Sequence, residues 1–296
     1  MNTTDWLAEE FQEHRAHLRA VSYRMLGSLA EADDAVQETW LRLASADTGD
    51  VRNLRAWLTT VVSRVCQDIL RARTARRENP LDAHVPDPIV TLDDPEEHAL
   101  LADSVGLALL VVLDTLSPAE RLAFVLHDVF AVPFEQIGSA LDRSPAAAKQ
   151  LASRARHRLR GAGASAAAFG GTADPARQRA VAEAFLAASR GDDFEGLLAV
   201  LDPAVVLRAD AGEGPMGPSR LITGAREVAA QAHRFAGLAR FAHPVLVNGT
   251  PGFLVAPDGQ PLAVIGIAVR DDKITEIDIL ADPERLSQLD LAGLIR

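Results

Sequence analysis

The chain of 296 residues is long enough for about two domains at roughly 150 residues each, and 48% hydrophobic with 24% charged residues, 20 Gly and 16 Pro exclude a collagen-like or low-complexity protein. A single cysteine, Cys66, excludes an internal disulfide and a cysteine-built metal cage, no apolar run reaches the roughly 18 residues of a membrane span, and the acidic N-terminus is unlike a signal peptide. The sequence reads as that of a cytoplasmic protein with no membrane partner, and its net charge of −11 argues against nucleic acid until that charge is located along the chain.

Located, the charge is segregated. Seven arginines between 52 and 77 face one acid, Asp68, and six basic residues between 143 and 160 face none. Between them, residues 78–103 carry eight acids and no Lys or Arg. One such block is usually a solvated face; two, each at the end of a helical unit, make an extended polyanion a reasonable partner.

In chain order, apolar spacing predicts helices over 6–25, 31–43 and 54–73, with Gly27-Ser28 ending the first and a polar loop between the second and third. Arg64, Gln67, Asp68 and Arg71 at i, i+3, i+4 and i+7 are expected on one exposed face of the third. Four prolines make 78–94 an extended acidic linker. After an apolar stretch at 100–116, Ser117-Pro118 with Glu120 reads as a capping box opening a helix to about 130. A short helix over 133–141, a turn at Asp142-Arg143-Ser144 and a basic helix to about 160 form a helix-turn-helix. A Gly/Ala/Ser-rich linker follows, and then the pattern changes class. Helices are expected at 174–190, 194–201 and 226–235, and strands at 205–209, 244–248, 253–256, 262–269 and 274–280, the last three as an antiparallel meander. This predicts an α+β domain with helices on one curved sheet.

A helix in the major groove needs donors on the face of its first turns, and Lys149, Gln150, Ser153 and Arg154 occupy such a face. The alternative is a small bundle with a solvated basic helix. The helix from 54 suits phosphate binding, capture of single-stranded bases or simple exposure, while Trp40 and Trp57 read as core. Acids at 31–38 either complement a helix N-terminus or dock on a basic partner. Histidines are dispersed, with no Gly-rich phosphate loop, HExxH or metal-ligand cluster, so no catalytic residue, metal or cofactor is assigned. Asp210 and Glu213 read as an exposed turn before an acid–base pair.

Residues 23–42, containing Gly27-Ser28-Leu29-Ala30-Glu31-Ala32-Asp33-Asp34-Ala35-Val36-Gln37-Glu38, followed by Trp57-Leu58-Thr59-Thr60-Val61-Val62-Ser63-Arg64, resemble region 2 of extracytoplasmic-function sigma factors. Leu116-Ser117-Pro118-Ala119-Glu120-Arg121 and residues 144–160 resemble their region 4. The C-terminal part is similar to the SnoaL-like, nuclear-transport-factor-2-like fold, which makes the resemblance closest to the group 41 subfamily. That resemblance implies a multidomain chain: sigma region 2 as an all-α bundle at 1–77, a linker at 78–98, the all-α region 4 helix-turn-helix at 99–161, a flexible linker at 162–173 and an α+β SnoaL-like regulatory domain at 174–296.

It also implies roles. Asp33, Asp34, Gln37 and Glu38 would dock on the clamp helices of the largest subunit of core RNA polymerase; Arg52, Asn53, Arg55, Arg64, Arg71 and Arg73 would engage the −10 element of promoter DNA. Arg143, Ser144, Lys149, Gln150, Ser153 and Arg154 would read the −35 element, with Arg156 and Arg158 near phosphates. The linker would thread through the polymerase toward the RNA exit path. The subfamily's Trp-Leu-Pro-Glu-Pro linker motif stands here as His84-Val85-Pro86-Asp87-Pro88, its Asp-Gly-Gly-Gly-Lys loop as Asp210-Ala211-Gly212-Glu213-Gly214, and its Asn-Pro-Asp-Lys-Leu motif as Asp282-Pro283-Glu284-Arg285-Leu286. Asp210, Glu213, Asp282 and Arg285 are therefore the expected regulatory contacts, and a small-molecule ligand of the C-terminal domain is a further candidate partner. The rival readings are a ligand-responsive helix-turn-helix regulator without a sigma role and a SnoaL-like enzyme with a DNA-binding appendage.

Overall fold

The computed structural model describes residues 3–46, 51, 53–75, 83–92, 106–161, 174–291 and 293–294. The loop at 47–50, Arg52, Arg76, Arg77 and the linker at 162–173 lie outside the described residues. The chain divides into two compact units, one of residues 1–79 with 112–164 and one of residues 80–111 with 165–296.

In the first unit, α1 (Thr3–Leu26), α2 (Leu29–Ser45) and α3 (Leu54–Ala75) lie where the apolar spacing places them, each longer by a few residues. Leu18, Val21, Met25, Ala32, Val36, Leu43, Leu58 and Val62 close their common core. Gly27 ends α1 at φ 68, a conformation that costs glycine nothing, and the Ser28 side chain then caps α2 by accepting from the Glu31 N–H. Trp40 meets Phe11 with ring centroids 5.2 Å apart.

Helix α4 (Leu107–Leu113) precedes the Ser117/Glu120 capping box, which opens α5 (Pro118–Phe124). The predicted continuation to 130 differs: hydrogen bonding over Val125–Val129 widens to i→i+5 and ends where Phe130 N–H donates to Val125 O. One residue inserted into the ladder leaves the apolar spacing intact, so the sequence pattern does not register it. Helix α6 (Phe134–Leu141) ends on Asp142 in the left-handed region (φ 55), and α7 (Pro145–Gly161) follows. A Cβ on Gly138 would stand 2.7 Å from Arg143 O, so glycine is what lets this turn close. Ala148, Leu151, Ala152, Ala155 and Leu159 form the buried seam of α7.

The second unit is built on a seven-stranded sheet of β1 (Val90–Thr91), β2 (Leu201–Asp210), β3 (Arg220–Thr223), β4 (Ala242–Val247), β5 (Thr250–Val255), β6 (Ala263–Arg270) and β7 (Lys273–Leu280), in the order β1-β4-β5-β6-β7-β2-β3. The expected meander is present and includes β4; β2 joins it by pairing parallel with β7, with Leu207 opposite Ile277. The α8 (Pro175–Arg190), α9 (Phe194–Val200) and α10 (Ala225–Arg234) helices supply Phe185, Leu186, Leu197 and Val228 to a core completed by Leu207, Phe253, Ile267 and Ile277 of the strands, and α11 (Ala236–Ala239) packs against it through the partly buried Leu238 and Ala239. A last short helix, α12 (Pro283–Leu286), follows β7. The extended linker segment belongs to this unit: Val90 and Thr91 pair with Val247 and Leu246, Ile89 N–H donates to the Asn248 side chain at 3.0 Å, and Val85 is fully buried.

Candidate nucleic-acid interface and linker latch

On α7 the buried seam fixes the opposite face toward solvent, and Lys149, Gln150, Ser153 and Arg154 are all exposed there. Arg143 and Ser144 are exposed in the preceding turn, where the Ser144 hydroxyl accepts from the Ala147 N–H at 3.2 Å. The expected −35 residues at the C-terminal end are held differently. Arg156 pairs with Asp128 at 2.9 Å and Arg158 with the buried Glu120 at 2.8 Å, which directs both guanidinium groups back to their own unit.

On α2, Asp34 and Gln37 are exposed, Asp33 takes a two-pronged bond from Arg19 at 2.7 and 3.1 Å, and Glu38 pairs with Arg42 at 2.9 Å. The same face carries Leu41, 61% exposed and seven residues from Asp34. Sequence reasoning passed over Leu41, although a leucine among i−7, i−4 and i−3 polar neighbours is a legible signal.

The basic helix α3 departs most from expectation. Gln67 is only 4% exposed, so the predicted exposed face does not exist as a whole: α3 is packed by α1 and α2 and also by α5 and α6, which gives it a second buried seam. Arg64 donates to Ser139 O at 2.5 Å and Ala140 O at 3.3 Å of α6. Arg73 donates to Leu26 O at 3.1 Å and pairs with Glu31. Arg55 and Arg71 are exposed, Arg71 at 3.8 Å from Asp68, and Asn53 caps α3 by accepting from Ala56 N–H at 3.0 Å. Beside Arg55, His17 shares a hydrogen bond with Thr59 at 3.2 Å and meets the Phe130 ring edge-on; burial and then the Arg55 charge lower its pKa to about 4. Burial pushes the Cys66 thiol up to about 12, so it stays an inert core group.

In the second unit three of the four expected regulatory residues converge. Arg285 donates to Asp210 at 2.7 Å, to Asp87 at 2.9 Å and to Val85 O at 2.6 Å. Asp210 also accepts from the Val85 N–H at 3.2 Å and pairs with His84 at 3.0 Å. Asp282 caps α12 by accepting from the N–H groups of Glu284 and Arg285, which sets where Arg285 starts. Asp210 is 8% exposed, a correction to the exposed-turn reading: residues 84 and 85 and Arg285 supply a burial that local sequence does not carry. That burial raises the Asp210 pKa, and His84, the Val85 N–H and Arg285 outweigh it and hold the carboxyl below its ordinary value. Glu213 is exposed and takes no part in this cluster.

Nearby on β2 and β7, Arg208 donates to Glu276 at 2.8 Å and to Asp278 at 3.1 Å. Burial pushes Asp278 up to about 6 against the pull of Arg208. Between the sheet and α8, α10 and α11 lies a cavity of about 120 Å³, with Phe185, Leu207, Phe235, Phe253, Ile265 and Ile277 in its wall. No helix among the described residues is long and apolar enough to cross a membrane.

Residues 11–76 match Sigma-70 region 2, and residues 106–159 match Sigma-70 region 4. The chain is 34% identical to the probable ECF RNA polymerase sigma factor SigI of Mycobacterium tuberculosis, with 98% of each covered. It is 38% identical to ECF RNA polymerase sigma factor SigJ of the same organism, over 94% of this chain and 92% of that one. The chain belongs to the extracytoplasmic-function RNA polymerase sigma factors. The crystal structure of M. tuberculosis SigJ matches with a TM-score of 0.77 at 34% identity, covering 96% of this chain and 99% of the other, so the sigma factor shares the succession of helical sigma regions and a C-terminal SnoaL-like α+β domain.

As a sigma factor it binds core RNA polymerase and directs promoter-specific initiation, and the rival of a polymerase-independent regulator is not favoured. Lys149, Gln150 and Ser153 on α7 of the sigma factor are exposed and Arg154, also exposed, stands 3.9 Å from Glu120, whereas Arg64 and Arg73 of α3 are engaged within their own unit. Arg208, Glu276 and Asp278 escaped sequence reasoning, although charges in an otherwise apolar strand pattern mark them.

Proposed function

We propose that this sigma factor is regulated in cis by its C-terminal domain, which holds the linker between regions 2 and 4 and so competes with its passage through the polymerase. The observation that carries the reading is the Arg285 guanidinium, which binds linker Asp87 and Val85 O together with Asp210 of the sheet. A linker held along β4 and at Asp210 has two fates, docked or threaded, and each excludes the other. Control of this kind requires a contact free energy that differs between the two states, and a charged three-way contact supplies it.

In the threaded state Lys149, Gln150, Ser153 and Arg154 read base edges of the −35 element, with Arg143 and Ser144 on the flanking backbone. Arg55 and Arg71, with Arg64 and Arg73 once released from their partners, face the −10 element together with Arg52 and Asn53. Asp33, Asp34, Gln37, Glu38 and Leu41 dock on the clamp helices of the polymerase largest subunit. The domain limits follow as region 2 at 1–77, linker at 78–98, region 4 at 99–161 and regulatory domain at 174–296. The protein acts in the cytoplasm as a transcription factor without chemistry of its own.

The test is in-vitro transcription with bacterial core polymerase on a promoter library, comparing the full chain, the Arg285→Gln chain and a truncation ending near residue 163. Regulation by the latch predicts promoter-specific transcripts from all three, more from the latch variant than from the full chain. Equal output from the full chain and Arg285→Gln removes the latch from regulation. Duplex binding without polymerase-dependent transcripts would restore the rival regulator.

A further inference from the structure

We propose that the cavity of the C-terminal domain binds a compact apolar carboxylic acid, its ring or branched chain inside and its carboxylate on Arg220, and that occupancy tightens the hold on residues 83–92; the second half rests on the latch reading above.

The cavity of about 120 Å³ approaches the roughly 150 Å³ apolar cavity that takes up benzene, so it has room for one six-membered ring. Its wall is almost wholly apolar, from Phe185 on α8 through Leu207, Phe253 and Ile277 on the strands to Phe235 after α10. Three wall residues are polar: Ser189, Gln231 and Arg220. The Ser189 hydroxyl already donates to Phe185 O at 2.8 Å. Arg220 is partly exposed, its Nε donates to Pro218 O, and no carboxylate among the described residues forms an ion pair with it. An apolar chamber with one arginine among its lining residues suits an apolar monoanion, because a guanidinium offers paired donors to a carboxylate and the chamber rejects polar bulk.

The connection to the linker is one of adjacent residues. Along β2, alternation turns Leu207 and Ala209 into the cavity wall, and Ala211 beyond the strand joins them. Asp210 stands between Ala209 and Ala211 and holds Val85, His84 and Arg285. Pro218 and Arg220 line the cavity, and Ser219 between them donates to Asp210 at 3.3 Å and accepts from the Ala211 N–H at 3.0 Å. Ala281 lines the cavity, and its neighbour Asp282 caps the helix that carries Arg285. At three places, then, neighbouring residues belong one to the cavity and one to the latch. A ligand that fills the chamber in this arrangement favours the arrangement itself, and by linkage favours the docked linker.

The full chain would be titrated with benzoate and cyclohexanecarboxylate and with benzamide as the uncharged counterpart, followed by ligand-observed NMR and by exchange of the Val85 and Ile89 amides, which donate into the docked arrangement. The expectation is carboxylate binding at least about tenfold tighter than benzamide, the size of one charge-assisted contact, and loss of that difference in Arg220→Gln. Ala232→Phe plugs the chamber and abolishes binding of all three, with Ala239→Leu as a smaller plug if the first fails to fold. At saturation Val85 and Ile89 exchange slows several-fold more than core amides such as Ile277. No binding, or equal binding of acid and amide, overturns the site. Binding that leaves Val85 and Ile89 unchanged overturns the coupling. The latch reading fails separately, through unchanged transcription by ligand-free Arg285→Gln.

Discussion

Arg285 and Asp87 stand 198 residues apart in the chain, and the guanidinium of one donates to the carboxylate of the other at 2.9 Å. The Asp87 side chain is 10% exposed and the Arg285 side chain 21%, so this pair is shielded well beyond an ordinary surface bridge. Shielding makes removal of one partner expensive for the other. Arg285→Gln leaves Asp87 and Asp210 facing each other's charge without the guanidinium, and linker docking should weaken by about 2 kcal/mol. The check is amide exchange: Val85 and Ile89 should exchange about 30-fold faster than in the parent chain while amides of β6 hold their rates. Unchanged exchange would show that the strand pairing of Val90 and Thr91 holds the linker by itself.

Leu41 gives a prediction within the first unit. Its side chain is 61% exposed beside Asp34, Gln37 and Glu38, so Leu41→Asp should change the unfolding free energy by no more than about 0.5 kcal/mol. If this face docks on polymerase, an apolar anchor amid a polar ring is where affinity concentrates, and core binding should fall about tenfold or more. Fluorescence anisotropy of labelled chain against core polymerase measures it, with Gln12→Glu on α1, which adds the same single negative charge at an exposed position, as the control for net charge.

The contrast between these two sites shows what the sequence carries. Asp34, Gln37 and Leu41 share a helix face because spacing of three and four residues is a local property, and the same holds for Lys149, Gln150, Ser153 and Arg154. The β5 to β7 meander was legible because Pro257-Asp258-Gly259 and Asp271-Asp272 mark its turns. The parallel pairing of β2 with β7 was not, since the partner strand lies some seventy residues away and no local pattern distinguishes it. Asp210 looked like a loop acid for the same reason: its burial comes from His84, Val85 and Arg285, which its neighbours do not announce. Gln67 looked exposed because a helix with one apolar stripe visible in sequence acquired a second from α5 and α6.

His17 makes the first unit sensitive to mild acid. In the unfolded chain the imidazole takes up its proton near pH 6.5, whereas in the folded chain burial and Arg55 lower that to about 4. Between those values the unfolded state binds the extra proton, so stability falls as pH falls through this window and is fully present above it. Partial exposure limits the effect to on the order of 1 kcal/mol between pH 7 and 5. Urea unfolding at both pH values should show that loss, and His17→Gln should remove it.

The last prediction separates reading from holding on α7. Lys149, Gln150 and Arg154 all face solvent, but they offer different chemistry: an ammonium is a point charge suited to phosphate, whereas an amide pairs donor and acceptor against one base edge. Gln150→Ala should therefore cost about 1–3 kcal/mol on the preferred −35 sequence and almost nothing on its mismatched variants, flattening the preference. Lys149→Ala should weaken all promoters alike and lower the slope of log affinity against log salt by about 1. Arg158→Ala should do neither strongly in the first instance, because its guanidinium is already held by Glu120 at 2.8 Å; its effect should appear as loss of region 4 stability, through a buried Glu120 left with less positive charge. Holoenzyme binding to a −35 library at two salt concentrations, with thermal unfolding of each variant, resolves the three outcomes. A uniform loss from Gln150→Ala would move base reading to Ser153 and Arg154.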